Sequence, residues 1–160
     1  LIWLRPFSVG DYIQGNGSSG TVEEIGLFAT KLTTAAGLFL FVPNSSLWNT
    51  SIINYSKKKT RRLDVQVGIA YDADIEIARK TLLQLVTSDE RVLADPAPLV
   101  RVETLGNSSV GILLRCWVPT SEYWNVLPGL VEKTKLALNE ANIEIPFNKL
   151  DVNLFEVKND

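Results

Sequence analysis

The chain has 160 residues, 46% of them hydrophobic, a formal net charge of -2 and no histidine. The hydrophobic share supports a folded core and excludes a disordered chain, and the length allows one large domain or two small ones. Without histidine the commonest general base and metal ligand are missing, which excludes Ser/His/Asp and Cys/His catalysis, while the slight negative charge gives no overall pull toward nucleic acid or anionic membranes.

Leu1-Ile2-Trp3-Leu4 opens the chain without a starting methionine and leads into Arg5-Pro6. The residue before a proline is pushed out of the helical region, so a helix entering from upstream stops there. This apolar start reads as the end of such a helix in a longer protein, or equally as a frayed terminus or a buried edge strand. No later run approaches the ~20 apolar residues of a membrane span, and no signal peptide is visible.

From Val9 to Tyr55 the pattern predicts four or five short strands. Residues 11–14 form the first, closed by a loop over Gly15-Asn16-Gly17-Ser18-Ser19-Gly20, and residues 21–25 form the second. That loop contains G-x-x-G without a following lysine and is no phosphate-binding loop. Residues 27–34 follow Gly26, and Ala35-Ala36-Gly37 makes a tight turn. Residues 38–42 are apolar throughout, as in a strand buried on both faces, which puts Phe39 and Phe41 in the core. Pro43-Asn44 ends that strand, Asn44 or Ser45 caps a helical turn carrying Leu47 and Trp48, and a strand resumes at 51–55. Short strands at this spacing predict a small barrel or sandwich. Residues 38–53 are more apolar than a domain of ~55 residues can cover alone, which points to a neighbouring subunit with Trp48 at or near the contact.

Lys57-Lys58-Lys59-Thr60-Arg61-Arg62 concentrates five of the sixteen basic residues in six positions, so its local field opposes the net charge. It reads as a solvated linker or as a functional basic segment. Leu63, Val65, Val67 and Ile69 then alternate with Asp64, Gln66 and Gly68, as in a half-buried strand. Asp72 or Asp74 caps a helix to about Thr87, with Ile75, Ala78, Leu82 and Leu85 on one face. Extended stretches at 99–105 and 110–118 flank a turn at Gly106-Asn107-Ser108-Ser109. A second helix spans about 123–142, with Pro128 near its start and a stripe of Leu127, Val131, Thr134 and Leu138. The order βαββα predicts a split βαβ, ferredoxin-like unit with its helices on one face of a small mixed sheet. Residues 151–157 form a lone strand without a neighbour in sequence, which must pair elsewhere, as in another chain. Cys116, the single cysteine, excludes an internal disulfide and reads as a buried, inert thiol.

The strand, Pro43-Asn44 turn, short helix and Ile52-Ile53-Asn54-Tyr55-Ser56 strand resemble the β-domain of the small-conductance mechanosensitive (MscS-like) ion channel family. Arg5-Pro6-Phe7-Ser8-Val9-Gly10-Asp11-Tyr12 resembles the family's junction between pore helix and β-domain. Val67-Gly68-Ile69-Ala70-Tyr71-Asp72-Ala73-Asp74-Ile75 resembles the strand-to-helix opening of its α/β domain, and Asp151-Val152-Asn153 its C-terminal strand. The resemblance implies an α+β chain: a small N-terminal Sm-like β-barrel or sandwich, a ferredoxin-like βαββα domain, and a lone C-terminal strand. The boundaries expected are a pore-helix junction at 1–8, β-domain at 9–56, basic linker at 57–62, α/β domain at 63–148 and C-terminal strand at 149–160.

By the same resemblance the chain is the vestibule, or cage, of a tension-gated channel that releases ions and small solutes during hypoosmotic shock. Its partners are then copies of itself in a homoheptamer, permeating ions, and the bilayer through transmembrane helices absent from this fragment. The expected place is the inner cell membrane with this region on the cytoplasmic side, or an organellar membrane. Lys57, Lys58 and Lys59 fall at the hinge beside the family's side portals, where some relatives carry an acidic residue and a proline. Trp48, Val152 and Leu154 are the expected subunit-interface residues. Ser45 stands where relatives often have glycine, Leu4 where some have phenylalanine, and no gating residue carries over without the pore segment.

Two other classes are weighed against this one. An enzyme lacks an acid pair beside a nucleophile or metal cluster, and helix capping explains Asp72 and Asp74 better than a cation does, so neither catalysis nor a cofactor is expected. An Sm-like or OB-type nucleic-acid module using residues 57–62 is the alternative. Its basic run lacks interleaved aromatics, and no nucleic acid is expected as a partner.

Overall fold

Asn16 and Gly17 have positive φ angles of 50° and 72° and form a two-residue hairpin turn whose twist suits the strands it joins. Strands β1 (Tyr12–Gly15) and β2 (Ser18–Ile25) pair antiparallel around it, with Gly15 opposite Ser18. The six-residue loop expected over 15–20 is thus a two-residue turn, and Ser18, Ser19 and Gly20 belong to β2. Gly20 answers a close approach instead: a Cβ there would stand 2.7 Å from the Thr33 carbonyl oxygen. Residues 6–154 are described by a computed structural model, and the chain divides between Lys59 and Thr60 into two units. The expectations for Leu1 to Leu4, Phe155 and Val157 lie outside the described residues.

The first unit continues with β3 (Ala29–Thr33), β4 (Phe39–Pro43), helix α1 (Asn44–Trp48) and β5 (Ile53–Asn54). Its five strands form one antiparallel sheet in the order β4-β3-β2-β1-β5. Phe7, Ile13, Val22, Leu32, Val42 and Leu47 make the core, with Leu40 and Ile52 packed against it. β4 is an edge strand, where Pro43 costs no ladder bond, and its burial is one-sided. Val42 and Leu40 face the core, while Phe39 and Phe41 are 64% and 59% exposed. The doubly buried strand and the core placement of these phenylalanines are therefore corrected. A run of five apolar residues does not reveal whether its second face is covered by the same chain.

Neither Asn44 nor Ser45 caps α1. Pro43 holds the cap position, and no side chain bonds the helix start. Asn44 braces the β2–β3 turn: its Nδ2 donates to the Gly26 and Leu27 carbonyls at 3.0 Å, and its Oδ1 accepts from Thr30 Oγ1 at 2.8 Å. Thr30 is fully buried, so this acceptor satisfies a hydroxyl that water does not reach.

In the second unit β6 (Thr60–Ile69), α2 (Ile75–Thr87), β7 (Leu99–Leu105), β8 (Val110–Pro119), a 3-10 turn (Thr120–Glu122) and α3 (Tyr123–Glu140) follow in order. The sheet runs β6-β8-β7. Both pairings are antiparallel, which corrects the expected mixed sheet: β6 and β7 are parallel to each other but separated by β8. Leu63, Val65, Ile69, Ile112, Leu114, Cys116 and Val118 meet Ala78, Leu82 and Val86 of α2 and Val126, Leu130 and Leu138 of α3 in one core. Asp74 is the N-cap of α2, its Oδ1 accepting from the Glu76 and Ile77 N–H groups at 2.8 and 3.0 Å. On α3 the buried stripe is Val126, Leu130, Thr134 and Leu138, a spacing of four, and Val131 lies half exposed outside it. The expected stripe began one residue late, because Leu127 is only partly buried.

Candidate assembly surfaces and the basic segment

Apolar side chains that a core would take are left at the surface of the first unit. Leu27 and Phe28 in the β2–β3 turn are 81% and 83% exposed. Leu38, Phe39 and Phe41 line the edge strand and its preceding turn, and Trp48 and Ile53 are each about half exposed. Trp48 is presented by α1, which Leu47 anchors to the core. Exposed apolar area of this kind on a folded domain marks an interaction surface. Sequence reading found Trp48 and the excess apolar character of 38–53. It missed Leu27 and Phe28, because a glycine followed by a strand-like run hid the turn.

β6 begins at Thr60, so Lys57, Lys58 and Lys59 precede it and are exposed. Their start is set by Asn54, whose Oδ1 accepts from the Ser56 and Lys57 N–H groups at 2.9 Å, while its Nδ2 donates to Asp11 Oδ2 at 2.8 Å and Pro6 O at 3.2 Å. Arg61 extends over the Tyr123 ring with 3.6 Å to its centroid, which ties the far end of the basic run to the start of α3.

On the sheet face away from the helices, Arg115 makes two 2.8 Å bonds to Asp64, with Arg62 3.3 Å from the same carboxylate. The Arg115 bond, opposed by desolvation and helped by Arg62, holds the Asp64 carboxyl below its ordinary range. Gln66 Nε2 donates to Glu103 at 2.8 Å beside a hollow of about 230 Å³ lined by Gly68, Thr104, Ser109 and Gly111. Burial pushes the Cys116 thiol up to about 11, a position for packing and not for nucleophilic chemistry. The described residues contain no group of three or more metal-ligating side chains, and none of their helices is long and apolar enough to cross a membrane.

After α3 the chain docks briefly. Ile143 is buried, and the Ala70 N–H donates to the Glu144 carbonyl at 2.9 Å. Beyond Pro146 the described residues pair with no strand, and Phe147, Leu150, Val152 and Leu154 are 91%, 89%, 73% and 91% exposed. Val152 and Leu154 are thus presented to solvent on a segment without a ladder partner.

Two family models match: "Mechanosensitive ion channel, beta-domain" over residues 1–57 and "Mechanosensitive ion channel MscS, C-terminal" over 63–145. The chain belongs to the MscS family of mechanosensitive ion channels. The small-conductance mechanosensitive channel of Edwardsiella ictaluri is 38% identical over 98% of this chain and 54% of its own length. That of Helicobacter pylori (strain UM084) is 35% identical over 95% of this chain and 56% of its own. A crystal structure of Helicobacter pylori MscS in a closed state superposes with a TM-score of 0.92 at 34% identity, covering 98% of this chain and 62% of that one. The chain thus spans about half the length of the curated MscS relatives it matches. The MscS family is a class of channels and not of enzymes, and the two units are its β-domain and its C-terminal domain.

Proposed function

We propose that this chain is the cytoplasmic vestibule of a tension-gated channel that assembles as a homoheptamer and releases ions and small solutes during hypoosmotic shock. The observation that carries this reading is the apolar surface of the first unit. Phe39, Phe41, Trp48 and Ile53 stand exposed on a domain whose own core is complete, so a second copy is the natural cover. Trp48 belongs to that contact, and Val152 and Leu154 to a second one, where C-terminal strands of neighbouring copies remove each other's exposed edges. The remainder of the protein supplies the membrane helices, in an inner or organellar membrane. A native mass of seven chains, together with stretch-activated current from the full-length protein, is the expected result. A monomeric mass at high concentration counts against the reading.

Selectivity is assigned to the hinge. Lys57, Lys58 and Lys59 immediately precede β6 in the chain, at the hinge that the family resemblance sets beside side portals, and a ring would multiply their charge by the number of subunits. Solvated charges act over roughly 8 Å at physiological salt, enough to enrich anions in a narrow opening. Changing all three to Glu moves the reversal potential of the full-length channel in a salt gradient toward cation preference. An unmoved potential means that the lysines only solvate the chain.

A further inference from the structure

We infer that Ser108 is a positioning residue that aims the C-terminal segment into the assembly. Ser108 sits in the β7–β8 turn, 41 positions before the backbone it grips: the Lys149 N–H donates to Ser108 Oγ at 3.0 Å, and the same hydroxyl donates to the Lys149 carbonyl at 3.4 Å. One side chain therefore serves as acceptor and donor to a single residue, which fixes both the position and the direction of the backbone there. Leu150, Val152 and Leu154 begin immediately after it, exposed and without a ladder partner.

The turn that presents Ser108 is itself held. The Gly106 N–H donates to the Ser109 carbonyl at 2.8 Å, and the Tyr71 hydroxyl donates to the Gly106 carbonyl. Tyr71 directly follows Ala70, whose N–H holds Glu144. The last residues before the free segment are thus gripped twice, at Glu144 from the end of β6 and at Lys149 from the β7–β8 turn. Nothing about folding the second unit needs the later grip, because its core closes with Ile143 and Ile145. A segment that left in random directions would lose conformational freedom each time it met its neighbours. Fixing its root removes part of that entropic cost in advance.

This inference rests on the reading that residues 150–160 join copies of the chain, and the test separates the two. Ser108→Ala, Ser108→Thr and a deletion of 150–160 are compared by amide exchange at Lys149, thermal unfolding, and native mass across a dilution series. Ser108→Ala removes both bonds, and loss of the one that holds the Lys149 N–H is expected to speed its exchange roughly fivefold. It should also raise the concentration of half-assembly several-fold with the unfolding midpoint unchanged, while Ser108→Thr retains wild-type values. If the deletion weakens the oligomer but Ser108→Ala does not, the positioning role is overturned and the assembly reading stands. If the deletion leaves the oligomer intact, the assembly reading falls and this inference falls with it.

Discussion

Asp89 shows how a single side chain secures a loop. It follows α2, and its carboxylate receives the Arg91 guanidinium at 2.8 and 2.6 Å and the Arg91 N–H at 3.1 Å. The Arg91 bond, against a desolvation cost, lowers the Asp89 carboxyl from 3.8 to about 2. Two residues on, the Leu93 N–H donates to the Trp117 carbonyl at 2.8 Å, so the loop closes on the end of β8. A carboxyl whose pKa is lower in the folded state adds stability above its unfolded value and loses it as pH falls through the folded one. Asp89→Asn should therefore cost about 1 kcal/mol at neutral pH, a figure discounted because Arg91 is partly solvated. The difference between variant and parent, read by denaturant titration, should vanish as pH falls from about 4 to about 2. A difference that persists at the acid end would show that the charge is not what matters there.

Among the elements, the β2–β3 turn depends most on one partner distant in sequence. Gly26, Leu27 and Phe28 connect two strands, yet Asn44 provides their bracing, with its side chain on two carbonyls and its own N–H donating to the Phe28 carbonyl at 2.8 Å. Asn44→Ala removes three side-chain bonds and strands the buried Thr30 hydroxyl, at an expected cost of about 2 kcal/mol. Equilibrium unfolding of the first unit should show that loss, and Asn44→Asp, which keeps the acceptor for Thr30, should recover part of it. Were Asn44 a helix cap, aspartate would substitute at no cost, since the two cap equally well. Sequence reading placed Asn44 correctly at the end of a strand but assigned it a local partner. A polar side chain after Pro suggests a cap by proximity, and only the fold brings residue 44 next to residues 26 to 30.

At the scale of the whole molecule, the question is what covers the exposed apolar side chains. Trp48→Ala removes a half-exposed indole from α1 and leaves Leu47 seated in the core. In sedimentation it should loosen the oligomer while the second unit unfolds at its usual midpoint. An oligomer of unchanged strength would move the contact away from Trp48 to the Phe39 and Phe41 edge.

For several features whose partners are close in the chain, the sequence by itself determined the answer. The period of two in Leu63 to Ile69, a helix cap at Asp72 or Asp74, and the βαββα order follow from local sterics and burial of one face; the structure keeps all three and chooses Asp74 for the cap. The Pro43-Asn44 turn with its flanking strands, together with the Arg5 to Tyr12, Val67 to Ile75 and Asp151 to Asn153 blocks in family order, was enough to name the family. The tertiary structure alone decided which apolar residues are core and which are surface. Phe39 and Val42 are equally apolar, and only their pleat and the edge position of β4 send one inward and the other out. It also decided the long-range polar contacts of Asn44, Asn54 and Ser108, which span 14 to 48 positions. A hydrogen bond needs a partner within about 3 Å, and for these side chains no sequence pattern encodes which distant backbone the fold will bring there.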